Sequence, residues 1–228
     1  MSARNRATGL DNNAGCVIIG AGGHASVLID CIRAAGNTGP IVALDQDVRM
    51  HGKEFHGVEI LGGDNEMDRL AGQKMGFAIG VGTTGRTDVR TALYGKALAC
   101  GLVPVTAIHP SAVIAFDVEL GEGGQIFARS VINTGTTVGH NVIVNTGAIV
   151  EHDCQIEEDV HIAPGACLGG EVLVGAGAHI GIGAVVLNGI SIGAQSVIGG
   201  GAVVIRDVAP GATVVGNPAK PIQLPPSR

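Results

Sequence analysis

The sequence predicts a small α/β domain with a parallel, Rossmann-like sheet, followed by a parallel β-helix of hexapeptide repeats. Strands alternate with helices in the first part of the chain, and a strict six-residue repeat of aliphatic residues follows them. The composition agrees, because the 228 residues include 38 Gly but only one Tyr, four Phe and no Trp. A narrow prism filled by stacked aliphatic side chains leaves little room for aromatic rings.

The repeat places an aliphatic residue at every sixth position from Ile108 to Val204, without insertion or deletion. An α-helix would repeat its apolar face at about 3.6 residues and an alternating strand at two, so neither explains this period. Hexapeptide repeats are typical of parallel β-helices, in which three hexapeptides form one triangular coil of roughly 18 residues. The segment therefore predicts about five coils, with the aliphatic side chains pointing into the prism.

The chain before the repeat has the rhythm of a parallel α/β sheet. Ligands of such sheets bind at the edge where strands end and helices begin. We therefore expect a binding site where the first strand runs into a glycine-rich turn. The predicted elements are a strand at 16–19, a helix at 25–35, a strand at 41–44, a turn-rich region through Gly52 and Gly57, a helix at 64–71, a strand at 77–81 and a helix at 87–100.

Composition narrows the class of protein further. A net charge of -6 with 14 Lys and Arg argues against a nucleic-acid-binding surface. No apolar run is long enough to span a membrane and the polar start lacks a signal peptide, so we expect a cytoplasmic protein without membrane insertion. Five Cys without CxxC spacing argue against a disulfide framework. The expected segments are a flexible start at 1–14, a Rossmann-like domain at 15–105, a β-helix at 106–215 and a tail at 216–228.

The glycine-rich turn has two interpretations. Gly20, Gly22 and Ala25 follow a strand and precede a helix, as in a dinucleotide fingerprint, and Asp45 at the next strand end could bind a ribose hydroxyl. Backbone N–H groups at the helix start would hold a pyrophosphate. A tight turn without a ligand is the alternative. The segment before the repeat is too short for two mononucleotide-binding halves, so a mononucleotide or nucleotide sugar fits better than NAD.

Several histidines lie within the repeat, and His152 is the strongest catalytic candidate among them. The adjacent carboxylate of Asp153 would fix the imidazole tautomer and raise its basicity, as a general base requires. Cys154 falls on the inward row of small residues, which favours a packing role over a nucleophilic one. His161 and His179 are 18 residues apart and should meet on the same face of adjacent coils.

Four short motifs occur in order along the chain. They are Gly20-Ala21-Gly22-Gly23-His24, Glu151-His152-Asp153-Cys154, Val160-His161-Ile162-Ala163-Pro164-Gly165-Ala166 and Gly216-Asn217-Pro218-Ala219-Lys220. Together they resemble the bacterial nucleotide-sugar acyltransferases of the sialic acid O-acetyltransferase type. The likeness covers residues 15–222 and is greatest for the N-acetyltransferases of nucleotide-linked 4-amino sugars, such as those acting on UDP-bacillosamine precursors or GDP-perosamine.

The resemblance implies a left-handed β-helix and a homotrimer, with acetyl-CoA in a groove between neighbouring β-helices and the nucleotide sugar on the α/β domain. It implies that His152 is the general base, that Asp153 is its acidic partner and that His161 lies near the thioester. Backbone contacts to coenzyme A would fall at Ala163, Gly170, Ile182 and Gly200, where Gly170 N–H would face the thioester carbonyl. Nucleotide-sugar contacts would fall at Gly20, Gly22, Gly23, His24, Asp45 and Gln46. The run Asp45-Gln46-Asp47 departs from the two successive acidic residues that are common in the family.

These features predict an acetyl-CoA-dependent N-acetyltransferase that acts on the 4-amino group of a UDP- or GDP-linked 4-amino-4,6-dideoxy sugar. In this reaction His152 would take a proton from the attacking amine, and we expect no metal cofactor. Lys220, in the segment that closes the last coil, could meet a coenzyme phosphate or be a solvated lysine.

Other functions stay open at this point. A sugar O-acetyltransferase would use the same base and fold, and a non-catalytic nucleotide-sugar-binding module would bind without acetyl transfer. A zinc hydratase of the carbonic anhydrase kind would require His140, His161 and His179 to converge on a metal. A dehydrogenase is the most distant alternative, because a second half-sheet for the nicotinamide is missing.

Overall fold

The computed structural model describes residues 15–83 and 87–222, so the predicted flexible start at 1–14 lies outside the described residues. The first elements are β1 Cys16–Ile19, α1 Gly23–Ala34, β2 Ile41–Leu44, β3 Glu54–Phe55, β4 Val58–Gly62, α2 Met67–Gly72, β5 Gly76–Ile79, α3 Asp88–Ala99 and β6 Val103–Pro104. They form a six-stranded sheet in the order β3-β4-β2-β1-β5-β6. All neighbours in it are parallel except β3 and β4.

The hydrophobic strands β1 and β5 occupy the centre of this sheet. All of their residues are buried, as expected for strands that are covered on both faces. Leu28 and Ile32 of α1 pack on one face, and Tyr94 and Ala97 of α3 pack on the other. The parallel strands β1, β2 and β5 therefore end side by side at one edge of the sheet.

The turn-rich region before α2 contains a hairpin that the sequence pattern did not predict. Strands β3 and β4 pair across His56 and Gly57, whose φ values of 49° and 71° belong to the turn. The side chains of β4 alternate between buried and exposed over its first three residues. Strand β3 has only two residues, too few to show an alternating pattern in the sequence.

The rest of the chain is a left-handed parallel β-helix with three faces. Face one contains β7 Ala107–Ile108, β10 Gln125–Ile126, β13 Ile143–Val144, β16 His161–Ile162, β19 His179–Ile180, β22 Val197–Ile198 and β24 Thr213–Val215, with β25 Lys220–Ile222 antiparallel to β24. Face two contains β8 Val113–Ile114, β11 Val131–Ile132, β14 Ile149–Val150, β17 Cys167–Leu168, β20 Val185–Val186 and β23 Val203–Val204. Face three contains β9 Glu119–Leu120, β12 Thr137–Val138, β15 Gln155–Ile156, β18 Leu173–Val174 and β21 Ser191–Ile192.

The aliphatic residues of the repeat point into the prism, as predicted. From Ile126 to Val204 every one of them is buried in a single core cluster. Glycine follows many of them because the next coil passes very close. A β-carbon built on Gly121 would lie 2.5 Å from the backbone carbonyl carbon of Gly139.

The α/β domain packs against face one of the β-helix. Phe127 and Ile143 belong to the same hydrophobic cluster as Ile18 and Leu28 of the α/β domain. The edge of the α/β sheet at which β1 and β5 end therefore lies next to face one. Among the described residues, no helix is both long enough and apolar enough to cross a membrane.

Candidate active site

His152 lies in the turn between β14 and β15, at the edge where face two meets face three. Its Nδ1 donates a hydrogen bond to Asp153 Oδ2 at 2.8 Å, so Nε2 keeps a free lone pair in the neutral ring. This hydrogen bond raises the pKa of His152 above its ordinary value. Since 44% of its side chain is exposed, His152 is an accessible proton acceptor.

Asp153 is directed toward His152 by the preceding coil. Its φ is 59°, and its backbone N–H donates to Thr134 O at 2.9 Å. Gly135, one coil earlier, lies directly against Asp153 Oδ1, where a β-carbon would clash. Gly135 therefore leaves room for the carboxylate. The sequence reasoning did not assign this role, although the one-coil offset from Asp153 was the signal that could have found it.

Gly170 lies one coil after His152 and contacts its ring. A β-carbon built on Gly170 would lie 2.5 Å from both Cε1 and Nε2 of His152. Gly170 O accepts a hydrogen bond from Gly189 N–H at 2.9 Å, whereas Gly170 N–H has no partner within residues 15–83 and 87–222. A proton acceptor and an unused backbone donor therefore lie side by side, an arrangement suited to acyl transfer.

Cys154 is a core residue, as the packing interpretation predicts. Its side chain is fully buried and its Sγ lies 3.3 Å from Gly169 O. Burial raises the pKa of the thiol, which disfavours the nucleophilic thiolate.

A groove of about 290 Å³ runs along face one and its edge with face two. Its polar side chains are those of Thr83, His161 and His179, and the rest of the lining is apolar or glycine. Three of the predicted coenzyme A contacts line this groove: Ala163, Ile182 and Gly200.

His161 and His179 meet on face one, as their spacing predicts. They are partners across β16 and β19, and their ring centroids are 5.0 Å apart at an angle of 78°. Thr83 Oγ1 lies 2.7 Å from His161 Nδ1 and 3.3 Å from His179 Nδ1. Asn145 Nδ2 lies 3.1 Å from His161 Nε2, so both ring nitrogens of His161 have protein partners. Burial lowers the pKa of His161 to about 3 and also lowers the pKa of His179, which keeps both rings neutral.

Thr83 and Asn145 are candidate site residues that the sequence reasoning missed. Thr83 follows β5 in the α/β domain and reaches His161 across 78 residues of sequence. Local sequence carries no signal for such a contact. Asn145 precedes Ala163 by one coil, and this spacing could have marked it as a neighbour of the coenzyme segment.

The His152 edge and the groove lie apart within one chain. His152 and Gly170 occupy the edge between faces two and three, whereas Ile182 and Gly200 occupy the edge between faces one and two. The whole width of face two separates these edges. The structure therefore divides the predicted acyltransferase residues into two half-sites.

The glycine-rich turn lies at the open edge of the α/β sheet. Gly20 has a φ of 101°, and a β-carbon there would lie 2.6 Å from a side chain beyond β5, so this glycine is needed by the turn itself. Asp45 Oδ2 accepts a hydrogen bond from Ala21 N–H at 2.8 Å, which joins the end of β2 to the turn. Gly22 and Gly23 face open space, and α1 begins without a side-chain cap. The first N–H groups of α1 are therefore accessible to an anion.

His24 lies at the junction of the two domains. Its Nε2 donates to Gln125 Oε1 at 2.7 Å, and its ring meets Phe127 edge-on with centroids 5.4 Å apart. Burial, assisted by the charge of Arg90, lowers the pKa of His24 to about 4. A neutral His24 thus connects the glycine-rich turn to the β-helix.

Arg90 is a second residue at this junction that the sequence did not single out. Its side chain is buried, and Nη1 donates to Ile79 O at 3.0 Å and to Val81 O at 3.1 Å. Its Nε donates to Asn141 O of the β-helix at 3.3 Å. Arg90 therefore holds the end of β5 and the following loop against the β-helix.

Two further residues predicted to bind a ligand are exposed, one near the glycine-rich turn and one near the groove. Gln46 Nε2 donates to Asp64 Oδ2 at 3.4 Å beside the end of β2. Lys220 is exposed in β25 and pairs with Val215, whose side chain approaches Gly199 at the end of the groove. Both positions are accessible from the open side of their sites.

The histidines do not form a metal site within the described ranges, 15–83 and 87–222. In these ranges no group of three or more His, Cys, Asp or Glu side chains is arranged to hold a metal ion. His140 stacks on Tyr94, with ring centroids 5.5 Å apart and 25° between the planes. The convergence of His140 with His161 and His179 that a zinc hydratase requires does not occur within this chain.

Comparison with known families accounts for both parts of the chain. The PglD N-terminal domain model matches residues 16–96, and the bacterial transferase hexapeptide model, with six repeats, matches residues 135–170. GDP-perosamine N-acetyltransferase of Escherichia coli O157:H7 is 33% identical over 162 residues, which are 69% of this chain and 71% of that protein.

Solved structures show the same similarity to acetyltransferases. Perosamine N-acetyltransferase from Caulobacter crescentus, a histidine-to-asparagine variant in complex with CoA and GDP-perosamine, is 38% identical with a TM-score of 0.85, covering 92% of this chain and 97% of that chain. The acetyltransferase domain of PglB from Neisseria gonorrhoeae FA1090 is 34% identical with a TM-score of 0.85, covering 92% of this chain and 100% of that chain. The chain therefore belongs to the bacterial nucleotide-sugar acyltransferases, in which a PglD-type N-terminal domain precedes a hexapeptide β-helix.

Proposed function

We propose that the protein is an acetyl-CoA-dependent N-acetyltransferase acting on the 4-amino group of a UDP- or GDP-linked 4-amino-4,6-dideoxy sugar. The observation that carries this proposal is the contact between the His152 ring and Gly170, whose N–H is unused within the described residues. Two of the relatives support the substrate class, because one is named GDP-perosamine N-acetyltransferase and the other, perosamine N-acetyltransferase, holds GDP-perosamine together with CoA.

The reaction would begin when the lone pair of the sugar amine attacks the acetyl carbonyl carbon of acetyl-CoA. The new C–N bond leaves a positively charged nitrogen and an oxyanion on the tetrahedral intermediate. Gly170 N–H would stabilise the oxyanion, and His152 Nε2 would take the proton from nitrogen. Asp153, bonded to Nδ1, would stabilise the resulting imidazolium.

Collapse of the intermediate would restore the carbonyl and break the C–S bond. The imidazolium of His152 would return its proton to the departing thiolate, which yields the acetamido sugar and coenzyme A thiol. No side chain is acylated in this sequence of steps, which agrees with the burial of Cys154 in the core.

The nucleotide sugar would bind along the open edge of the α/β domain, which we assign to residues 15–105. Its pyrophosphate would lie over Gly22 and Gly23, at the start of α1, where the space is open. Asp45 and Gln46 would face the nucleoside at the end of β2. Acyl transfer is assigned to the β-helix at 106–215. Since CoA and nucleotide sugars are cytoplasmic metabolites, we propose a cytoplasmic location.

A homotrimer is supported by an apolar stripe on face two. The outward residue of each strand there is apolar or Cys: Val113, Val131, Ile149, Cys167, Val185 and Val203. On face three the same positions are mostly polar: Glu119, Thr137, Gln155, Leu173 and Ser191. Packing face two of three chains around one axis would remove the apolar stripe from water.

This packing would also unite the two half-sites. Face two lies between the His152 edge and the edge that carries Ile182 and Gly200. Around a threefold axis, the first edge of one chain would meet the second edge of its neighbour. Acetyl-CoA would lie in this seam with its thioester near Gly170, and Lys220 at the end of the groove would face the coenzyme phosphates.

A free-thiol assay of coenzyme A release tests the function. Acetyl-CoA is supplied with UDP-, GDP- and dTDP-linked 4-amino-4,6-dideoxy sugars and with their 4-hydroxy counterparts. We expect release only with an amino sugar, and the nucleotide of the active compound identifies the natural acceptor substrate. Release with hydroxyl sugars alone would replace the proposal with O-acetylation. Binding without release across the panel would favour the non-catalytic binding module.

The oligomeric proposal is tested by light scattering with one variant on each face. Ile149→Asp places a charge in the apolar stripe, and Gln155→Asp places the same charge on face three of the same coil. We expect a trimeric wild type and Gln155→Asp variant, and an inactive, dissociated Ile149→Asp variant, because a buried unpaired carboxylate is costly. A fully active monomeric wild type would contradict the trimer.

A further inference from the structure

We infer that His179 donates a hydrogen bond from Nε2 to a carbonyl oxygen of the pantetheine arm of coenzyme A, and that Thr83 fixes the ring tautomer that provides this donor. The inference rests on the proposed function, since it requires coenzyme A in the groove. His179 lies on face one, away from the His152 edge, and Thr83 lies in the loop of the α/β domain that contacts this face. They therefore act on binding of the acyl donor and not on proton transfer.

The orientation of the Asn145 amide is set by the backbone. Its Oδ1 accepts a hydrogen bond from Thr146 N–H at 2.8 Å, so its Nδ2 is the group that faces His161 Nε2 at 3.1 Å. An amide nitrogen donates and does not accept, and His161 Nε2 must therefore be the acceptor. In the neutral His161 ring the proton then lies on Nδ1.

Through Thr83, the tautomer of His161 fixes the tautomer of His179. His161 Nδ1–H donates to Thr83 Oγ1 at 2.7 Å and also faces Thr83 O at 3.1 Å. Because Thr83 Oγ1 accepts this hydrogen bond, the Thr83 hydroxyl donates its own hydrogen to His179 Nδ1 at 3.3 Å. His179 Nδ1 is therefore an acceptor, and the single proton of the neutral ring lies on Nε2.

The Nε2–H of His179 has no hydrogen-bond partner in the part of the chain that the structure describes, although the residue is only 7% exposed and lines the groove. Because His179 lines the groove, a ligand that fills the groove displaces water from this donor, which then needs an acceptor on the ligand. The groove therefore favours a ligand that brings an oxygen to His179.

The remaining groove surface indicates which ligand this is. It consists of Ala163, Pro164, Gly181, Ile182, Val197, Ile198, Gly199 and Gly200. A sugar would leave most of its hydroxyls without partners on such a surface. The pantetheine arm is a chain of methylene groups interrupted by amides, so it matches a single donor among apolar contacts. The groove spans three successive coils, as an extended ligand requires.

Thr83 is a positioning residue supplied by the other domain. It follows β5 in a loop that lies against the glycine-rich turn, since a β-carbon on Gly82 would lie 3.2 Å from the His24 ring. Arg90 holds the same loop through Val81 O. The α/β domain would thus influence binding of the acyl donor through His179.

Isothermal titration of the whole protein with coenzyme A tests the inference with two matched pairs. His179→Leu removes the donor, whereas His179→Gln keeps an N–H at similar reach. Thr83→Val removes the hydroxyl, whereas Thr83→Ser keeps it. We expect the dissociation constant to rise about 3- to 10-fold in His179→Leu and Thr83→Val, the effect of losing one neutral hydrogen bond, and to change little in the conservative variants.

Two measurements distinguish loss of the His179 hydrogen bond from a general disturbance of packing. Phospho-ADP, the half of coenzyme A without pantetheine, should bind all four variants as it binds the wild type. Nitrogen-15 shifts of labelled histidine rings should show His179 protonated on Nε2 in the wild type and a mixture of tautomers in Thr83→Val.

Unchanged coenzyme A affinity in His179→Leu, or a loss confined to the nucleotide sugar, would overturn the inference. If thermal melting shows that His179→Leu is not folded, the Thr83→Val and Thr83→Ser pair decides in the same way. A wild type that does not bind coenzyme A at all would instead overturn the proposed function, and this result is visible before any variant is made.

Discussion

His152 and His161 lie only nine residues apart in sequence, yet their environments are opposite. His152 has an exposed ring with one free nitrogen, and its hydrogen bond to Asp153 raises its pKa. His161 is 5% exposed, both of its nitrogens have protein partners, and burial lowers its pKa to about 3. One ring is suited to accepting a proton, whereas the other is a fixed element of a hydrogen-bond network.

The difference shows that position within the coil decides what a histidine does in this fold. His152 falls at an edge of the prism that is open to solvent, and His161 falls half a coil later on the face that the α/β domain covers. The residue type is the same, but desolvation and the nearest charged partner differ. Variants of the two regions should therefore fail in different ways.

His152→Ala should produce the largest effect. We expect kcat to fall about 100- to 10,000-fold, because the general base is lost, while coenzyme A binding and the oligomeric state stay as in the wild type. Steady-state kinetics and titration with coenzyme A measure the two quantities. Retention of most activity would remove His152 as the base, and His140→Ala serves as a matched histidine substitution outside both half-sites.

Gly170→Ala should have the next largest effect. The added methyl would lie 2.5 Å from Cε1 and Nε2 of His152, so the ring must move. Misplacing a catalytic group by about 1 Å costs about 100-fold in rate, and we expect a fall in kcat of this order. Gly95→Ala adds the same methyl on α3, where it would meet nothing within 4 Å, and should leave kcat unchanged. Equal rates for the two variants would contradict the assignment of Gly170.

Asp153→Asn should shift the pH dependence of His152. Only the neutral imidazole accepts a proton, so kcat/KM falls as the pH drops through the His152 pKa. Asp153 raises that pKa, and its neutralisation should move the acidic limb to lower pH while reducing the plateau rate. Glu171→Gln removes a weaker contributor and should give a smaller shift in the same direction. An unmoved limb in Asp153→Asn would show that the carboxylate does not tune the base.

The buried histidines, unlike His152, should make the folded protein less stable in acid. The pKa values of His161 and His24 are lowered from 6.5 to about 3 and about 4, so the unfolded chain binds protons in this range before the folded chain does. Stability is therefore full above pH 6.5 and falls as the pH drops toward 4, by about 1 kcal/mol per histidine near pH 5.5.

Denaturant unfolding at about pH 7.5 and about pH 5.5 measures this loss. His161→Asn should reduce the pH dependence, whereas His152→Ala should not, because the lowered pKa belongs to His161. The comparison of the two histidines would break down if His152→Ala alone flattened the pH profile.

Much of both half-sites on the β-helix was predictable from the sequence. The period of six placed the aliphatic residues from Ile126 to Val204 in the core, and it brought His161 onto His179 and Gly170 onto His152. A regular coil converts a sequence offset of 18 into a spatial neighbour, so a local pattern carries long-range information. The hairpin of β3 and β4 escaped prediction because a strand of two residues shows no period.

The sequence by itself determined the two-domain architecture, the inward row of the prism and the pairing of His152 with Asp153, since all of these depend on neighbours in the chain or on the repeat. Only the tertiary structure decided that Thr83 reaches His161, that Gln125 binds His24 and that Arg90 holds the domain junction. These contacts join residues 51 to 101 positions apart across a packed interface. They arise from the docking of one domain on face one, and burial at that interface sets the charge states of His24 and His161.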